Sequence, residues 1–300
     1  MLVVVALGGN ALAVKGEHPG PAAQARRLET AARAVSEVAG QGGLVVTHGN
    51  GPQVGDLALV EERDVDGRLP LGMDVLTAQT EGWIGYLLED AIATLRPGPI
   101  ATVLTRVEVD SEDAGFREPT KPIGPVYTDR EAALVRRSHD WPMRPQGDGW
   151  RRVVASPEPR RIVGLEPIRL LVGHGVTVIA GGGGGIPVAI VDGIRRGVDA
   201  VIDKDLTSAL LAIGLGADHL LLLTDVDAVY RQWGTPRQEP IMRASVREFT
   251  DFPRDDGAMG PKVEAACRFV QATGRRAVIA SLSDAAAALR GFAGTTVVPD

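Results

Sequence analysis

Cysteine is nearly absent from this chain of 300 residues; Cys267 stands alone. One cysteine closes no intrachain disulfide and builds no zinc cluster, which fits a reducing compartment. In EAACRFV it reads as a small apolar packing group. The histidines at positions 18, 48, 139, 174 and 219 form no i,i+4 metal pair. A basic excess is also missing: the net charge is −6 at pH 7 and the pI about 5.5. That argues against a nucleic-acid or anionic-membrane binder, so an anionic ligand must be drawn in by local groups. No apolar stretch approaches the roughly 20 residues that span a bilayer. The opening LVVVAL, Leu2–Leu7, runs at once into Gly8, Gly9 and Asn10 without a basic flank or a small-residue cleavage site, so no secretory signal is expected.

What is present is an ordinary globular composition, 44% apolar and 23% charged, with length enough for one large α/β domain or two lobes. Strands are expected at Leu2–Leu7, Leu44–Thr47, Ile100–Val109, Thr177–Ala180, Leu220–Thr224, Ala277–Ala280 and Thr295–Val298. Helices are expected at Ala22–Ala39, Val75–Leu95, Asp205–Ile213 and Pro261–Thr273. Strands apolar on both faces and separated by helices predict a mostly parallel sheet covered on both sides. From about residue 110 to 159 the periodicity fades into Pro, Gly, Arg and Trp. Such a length is too great for a connector, and Trp141, Trp150, Val153 and Val154 give it something to bury, so a small ordered flap is expected.

Glycine marks the ends of three strands: ALGGNAL (Ala6–Leu12), THGNGPQVG (Thr47–Gly55) and AGGGGGIP (Ala180–Pro187). In a parallel sheet such loops gather at the carboxyl edge, where α/β proteins place ligands. Backbone N–H groups there can face an anion with no Cβ in the way, and helix N-termini add positive potential. Any one of the loops could be a plain tight turn; three together, two carrying Asn10 and Asn50, point to a phosphate site. No lysine follows the glycine run, so it is not a Walker loop. Asp203 and Asp205 lie about twenty residues on, but a run of five flanked by Ala180 and Ile186 cannot hold G-x-G-x-x-G.

Two lysines sit at the wrong ends of their helices. Asp205 in VIDKDLTSALL reads as an N-cap or first-turn residue, placing Lys204 at the helix start, and Pro261 in MGPKVEAA puts Lys262 in the first turn. Cations there are disfavoured by about 0.3–1 kcal/mol, a sign that a bound polyanion would reverse. Solvated lysines and an ordinary helix cap are the alternative. After LLLLT, Asp225 and Asp227 could bind Mg²⁺, line a nucleotide pocket or make a turn; the pocket reading is preferred.

In order along the whole chain, VVVALGGNAL, THGNGPQVG, TKPIGP (Thr120–Pro125), WRRVVASPEP (Trp150–Pro159), GGGGGIPV, AVIDKDLTSALLA and MGPKVEAA resemble the amino acid kinase family, and within it the carbamate kinases. HGNGPQVG with TKPIGP inside an insertion is the more specific signal. Ala155 departs from a family pattern with proline there, which touches flap rigidity more than chemistry. The resemblance implies a three-layer αβα sandwich with an open, mostly parallel eight-stranded sheet and a small protruding insertion. It implies one domain over 1–300, with an N-terminal carbamate and phosphoryl lobe (1–215, insertion about 110–159) and a C-terminal nucleotide lobe (216–300). Gly8, Gly9, Asn10, Gly49, Asn50, Gly51, Gly182 and Gly183 would line the carbamate and phosphoryl site. Lys121 would reach in from the flap, Lys204 and Lys262 would contact nucleotide phosphates, and Asp205 would orient them. Thr224, Asp225, Val226, Tyr230, Met259 and Gly260 would complete the nucleotide pocket.

The implied reaction is ATP + carbamate ⇌ ADP + carbamoyl phosphate, with Mg²⁺ held mainly by the nucleotide phosphates, in a cytoplasmic homodimer that binds neither nucleic acid nor membrane. Carbamate already carries a nucleophilic oxygen anion, so no general base is needed; positioning and charge neutralisation are the protein's task. Another kinase of this fold, a non-catalytic nucleotide sensor and a dehydrogenase are the competing readings. The flap with TKPIGP speaks against the first, and the presence of all three lysines against the second.

Overall fold

Val3, Val5 and Leu7 point to one side of the first strand, Val4 and Ala6 to the other, and all five are fully buried. A strand apolar on both faces must be covered on both, and the molecule is built around that requirement. The computed structural model describes residues 1–8, 21–40, 42–63, 71–139, 141–250, 252 and 259–300. The chain runs β1 (Leu2–Leu7), α1 (Pro21–Ala39), β2 (Gly43–His48), α2 (Gly51–Arg63), α3 (Met73–Ala93) and β3 (Ile100–Val103). An excursion follows: β4 (Arg106–Glu108), α4 (Ala114–Arg117), β5 (Lys121–Tyr127), α5 (Asp129–Ser138), β6 (Met143–Gln146), β7 (Gly149–Val154) and β8 (Arg161–Ile162). Next come α6 (Leu165–Gly173), β9 (Thr177–Ala180), β10 (Ile186–Val191), β11 (Ile194–Gly197) and α7 (Lys204–Leu215). The last part holds β12 (His219–Thr224), β13 (Val229–Arg231), β14 (Glu239–Ile241), β15 (Arg243–Ser245), α8 (Gly260–Thr273), β16 (Ala277–Ser281), α9 (Ala285–Leu289) and β17 (Thr295–Val298).

Eight strands form the main sheet in the order β15-β17-β16-β12-β1-β2-β9-β3. Pairing is parallel from β16 to β3, while β17 runs antiparallel to β16 and carries β15 parallel to itself. Helices α1, α3 and α9 cover one face with Val35, Leu88 and Ala288; α6, α7 and α8 cover the other with Ile168, Leu211 and Phe269. This is the expected αβα sandwich with an open, mostly parallel eight-stranded sheet. After β1 the chain moves outward through β2, β3 and β9, then returns to lay β12 on the other side of β1. The strand order therefore reverses at β1, and the loops after β1, β2, β9 and β12 share one carboxyl edge. A reversal of this kind is where open α/β sheets bind ligands.

The single strand expected over Ile100–Val109 is two. β3 belongs to the main sheet, whereas β4 joins a second sheet of order β11-β10-β4-β8. Between them the Thr105 hydroxyl donates to the Val103 carbonyl at 2.7 Å and its amide to Glu81 Oε2 at 3.1 Å. Side chains thus capture the backbone groups that a continuing ladder would use.

The expected flap is ordered, with β5, β7 and β6 forming an antiparallel sheet. Its Ile123 and Val154 pack on Val54, Ala58 and Leu76 of α2 and α3. A Cβ on Gly55 of α2 would overlap the backbone of Gly124, so two glycines let the flap lie directly on the helix. Trp141 and Trp150 bury less than expected. They stack under the guanidinium groups of Arg152 and Arg136, 4.1 and 4.2 Å from the ring centres.

Candidate active site

Helix α7 starts on Asp203, not on Asp205: Asp203 Oδ1 accepts the amides of Asp205 at 2.8 Å and Leu206 at 3.3 Å. Asp205 is freed from capping and occupies the first turn, its carboxylate turned inward. Helix α8 opens at Gly260, with Pro261 second and Lys262 third. The Lys204 ammonium donates to Asp205 Oδ1 at 2.6 Å and the Lys262 ammonium to Oδ2 at 3.1 Å, and all three side chains are at most 10% exposed. The two helix-start lysines therefore converge on one carboxylate.

Burial acts to raise the Asp205 carboxyl, but the two ammonium groups outweigh it and hold it well below the usual carboxylate range. Burial lowers Lys204, and repulsion from Lys262 adds to this, with Asp205 opposing both. For Lys262 burial again acts downward, but Asp205 overcomes it, Asp203 and Asp225 add to the pull, and the net shift is upward. Within the buried triad two cations meet one anion at the positive ends of two helices, an arrangement that a polyanion would relieve.

The glycine run forms a tight 3₁₀ turn, Gly182–Gly184, in which Gly181, Gly183, Gly184 and Gly185 all have positive φ. That answers why the sequence accepts five glycines: L-residues rarely adopt this backbone. A Cβ on Gly183 would overlap the Asn50 side-chain amide, and one on Gly182 would overlap the His48 imidazole. The amides are less available than the sequence suggested. Gly181 donates to Thr105 Oγ1 (2.9 Å), Gly182 to Glu81 Oε1 (2.9 Å), Gly184 to the Gly181 carbonyl (3.2 Å) and Gly185 to the Gly182 carbonyl (3.0 Å). Of the five, the Gly183 amide is the one without an acceptor among the described residues. Thr207 of α7 donates its hydroxyl to the Gly184 carbonyl at 2.8 Å, seating the lysine-bearing helix on this turn.

Other expected site residues take places around the same edge. Gly8 donates its amide to Leu223 (3.1 Å) and Gly49 to Leu7 (3.2 Å), which ties the loops after β1 and β2 to their neighbouring strands. Gly9 and Asn10 lie outside the described residues. Asn50 is buried and donates to Thr80 Oγ1 at 2.9 Å, and Gly51 opens α2. Lys121, at the start of β5, ends 2.5 Å from Asp203 Oδ2. Thr224 ends β12 and Asp225 and Val226 begin the turn after it, where the Thr224 hydroxyl donates to Asp225 at 3.1 Å. Tyr230 follows on β13 and donates to Asp227 at 3.0 Å, so Asp227 serves that turn. Met259 and Gly260 flank the start of α8.

The chain as a whole is similar to known proteins. The profile of the Amino acid kinase family fits residues 1–281. A carbamate kinase of Rhizobium meliloti (strain 1021) is 49% identical over 99% of this chain and 93% of its own length. The structure of carbamate kinase from Giardia lamblia bound to citric acid superposes with a TM-score of 0.93 at 37% identity, covering 100% of this chain and 98% of that one. The same Giardia enzyme bound to AMP-PNP gives a TM-score of 0.88 at 37% identity, with 100% and 98% covered. The chain belongs to the carbamate kinases of the amino acid kinase family.

For a carbamate kinase, three buried residues at this edge stand out that sequence reasoning passed over: His48, Glu81 and Thr105. Burial pushes Glu81 up to about 8, against the amides of Thr105 and Gly182 that donate to it. Burial also lowers His48 to about 4, opposed by the Gly49 carbonyl and helped by Lys204, so the imidazole is neutral and no ready base. Only His48 carried a sequence signal, inside THGNGPQVG. A cavity of about 450 Å³ beyond Asp203 is a poor seat for phosphates, being lined by Asp113, Glu118, Glu158 and Glu264 against Arg268.

Proposed function

We propose that the site transfers a phosphoryl group reversibly, ATP + carbamate ⇌ ADP + carbamoyl phosphate, by direct in-line displacement. Lys204 and Lys262 neutralise the nucleotide phosphates, Asp205 fixes the two ammonium groups relative to each other, and Lys121 approaches the carbamate side from the flap. Asn50 and the Gly183 amide supply donors to the group in transit, with Gly9 and Asn10 assigned beside them by motif. The carbamate oxygen is already an anion, so the neutral, buried His48 is not required as a base. Fixed donors and charges of this kind are the main lever on phosphoryl transfer.

Asp205 is occupied by two lysines and Asp203 by Lys121 and two amides, and no group of three or more candidate metal ligands occurs among the described residues. These residues fit a Mg²⁺ carried on the nucleotide phosphates, where it would neutralise charge on the polyphosphate.

The reversal of strand order at β1 supports a division into a carbamate and phosphoryl lobe (1–215) and a nucleotide lobe (216–300). Trp83 and Tyr86 on α3 and Leu104 after β3 are exposed beside the terminal strand of the sheet. They support a homodimer joined across that edge, which sedimentation should read as twice 31.6 kDa. No helix among the described residues is long and apolar enough to cross a membrane. A cytoplasmic setting fits a chain with the single cysteine Cys267.

The observation that carries this reading is the shared grip of Lys204 and Lys262 on Asp205. Its test is a coupled assay for ATP formed from ADP and carbamoyl phosphate, run beside ATP with acetylglutamate or UMP. ATP formation in the first and no ADP release in the controls is the expected result; no ATP from carbamoyl phosphate overturns it.

A further inference from the structure

Glu81 and Thr105 have no part in the chemistry above, yet both are buried against the glycine turn. The structure assigns Glu81 a positioning role in phosphoryl transfer: from α3 its carboxyl, with Thr105 as relay, fixes the first half of the turn so that the Gly183 amide meets the transferred group at a set place. One carboxyl oxygen accepts the Gly182 amide at 2.9 Å and the other accepts the Thr105 amide at 3.1 Å. The Thr105 hydroxyl accepts the Gly181 amide at 2.9 Å while donating to the Val103 carbonyl at 2.7 Å. Two side chains thus hold the consecutive amides of Gly181 and Gly182 in the turn, together with the Thr105 amide and Val103 carbonyl at the neighbouring strand end.

Gly182 is packed closely by two side chains. A Cβ there would lie 3.0 Å from Glu81 Cγ and overlap the His48 imidazole, so the peptide has little room to shift toward either side chain. The preceding residue of α3, Thr80, accepts the side-chain amide of Asn50 at 2.9 Å. One helix turn therefore positions both donors proposed for the phosphoryl group, Asn50 through Thr80 and Gly183 through Glu81. Burial keeps the Glu81 proton up to about pH 8, and a neutral acid can order amides beneath a polyanion without repelling it.

Glu81→Gln preserves size but offers one acceptor oxygen where two amides need one each, so its NH₂ group faces a donor. Circular dichroism and melting establish that the variant folds. The expected result is a kcat for ATP formation lowered about tenfold to a hundredfold with the ADP dissociation constant, by calorimetry, within about twofold, because a donor misplaced by an ångström or less is felt in the transition state. A merely structural role would lower kcat and ADP affinity together. Wild-type kcat, or kcat and ADP affinity falling by the same factor, overturns the assignment. If Glu81→Gln does not fold, Thr105→Val reads the same relay through the Gly181 amide, with the same expected and overturning outcomes.

Discussion

The ammonium group of Lys121 lies 2.5 Å from Asp203, which joins the flap to the cap of the helix that carries Lys204. The other Asp203 oxygen does the capping, so the two contacts do not compete for one acceptor. Lys121 is also the most accessible of the three lysines, with 31% of its side chain exposed. Its ion pair is part-buried and reaches water on the lysine side, so its contribution to stability is modest, about 1 kcal/mol.

Lys121→Ala should therefore leave the melting temperature and the cap of α7 nearly unchanged. Carbamoyl phosphate use should fall about a hundredfold in kcat/KM, by analogy with loss of one transition-state donor, while ADP affinity holds. Calorimetry with ADP beside steady-state kinetics checks this. Lost ADP affinity with carbamoyl phosphate use untouched would place Lys121 on the wrong side of the reaction.

Lys204→Ala and Lys262→Ala should each fold and lose about 10²–10³ in turnover. Either change leaves Asp205 with one ammonium partner, so no buried carboxylate is stranded. Asp205→Ala does the reverse, leaving two buried ammonium groups to repel each other, and should destabilise the ligand-free protein by about 3–5 kcal/mol. Denaturant melts of the three variants give the contrast, and wild-type turnover in both lysine variants refutes the clamp.

Much of this triad was legible because helix starts are written locally. Pro261 and the acid-rich VIDKD announce where α8 and α7 begin, and the lysines fall within a residue or two. Glu81 was not legible, since in TAQTEGWIGY it is one acid on a helix and its partner Gly182 is 101 residues away. Helix α2 was hidden because it begins inside a glycine loop, at Gly51 and Pro52, where breaker residues dominate the pattern. The flap strands were obscured likewise: β5 contains Pro122, Gly124 and Pro125, which interrupt the alternation by which a strand is read. The edge strand β15 has three residues, too few for any period.

Gly183→Ala tests the geometry of the turn. Alanine at a φ of 64° is strained by about 1–2 kcal/mol, and its methyl group would also displace the Asn50 amide from Thr80. Turnover should fall about a hundredfold along with a lowered melting temperature. Gly147→Ala is the control, because Gly147 has a φ of 59° with open space around it. That variant should show the loss of stability with activity intact; equal activity losses in both would remove the special role of the Gly183–Asn50 contact.

Glu81 and His48 impose opposite pH slopes on stability. Burial, working against the Thr105 and Gly182 amides, raises the Glu81 carboxyl from 4.5 to about 8, so between these values the folded chain keeps a proton that the unfolded chain has released. Stability contributed by this group falls as pH rises through that window. Burial lowers His48 from 6.5 to about 4, with the Gly49 carbonyl opposing and Lys204 assisting, so there the unfolded chain binds the extra proton and stability rises with pH. The two slopes, each at most about 1.4 kcal/mol per pH unit, offset one another from about 4.5 to 6.5, and above that range Glu81 acts without His48. Urea melts of the wild type minus those of Glu81→Gln isolate the carboxyl. The difference should decline from about pH 4.5 to about pH 8 and then level off, whereas a flat difference would mean that Glu81 is already ionised beneath the glycine turn.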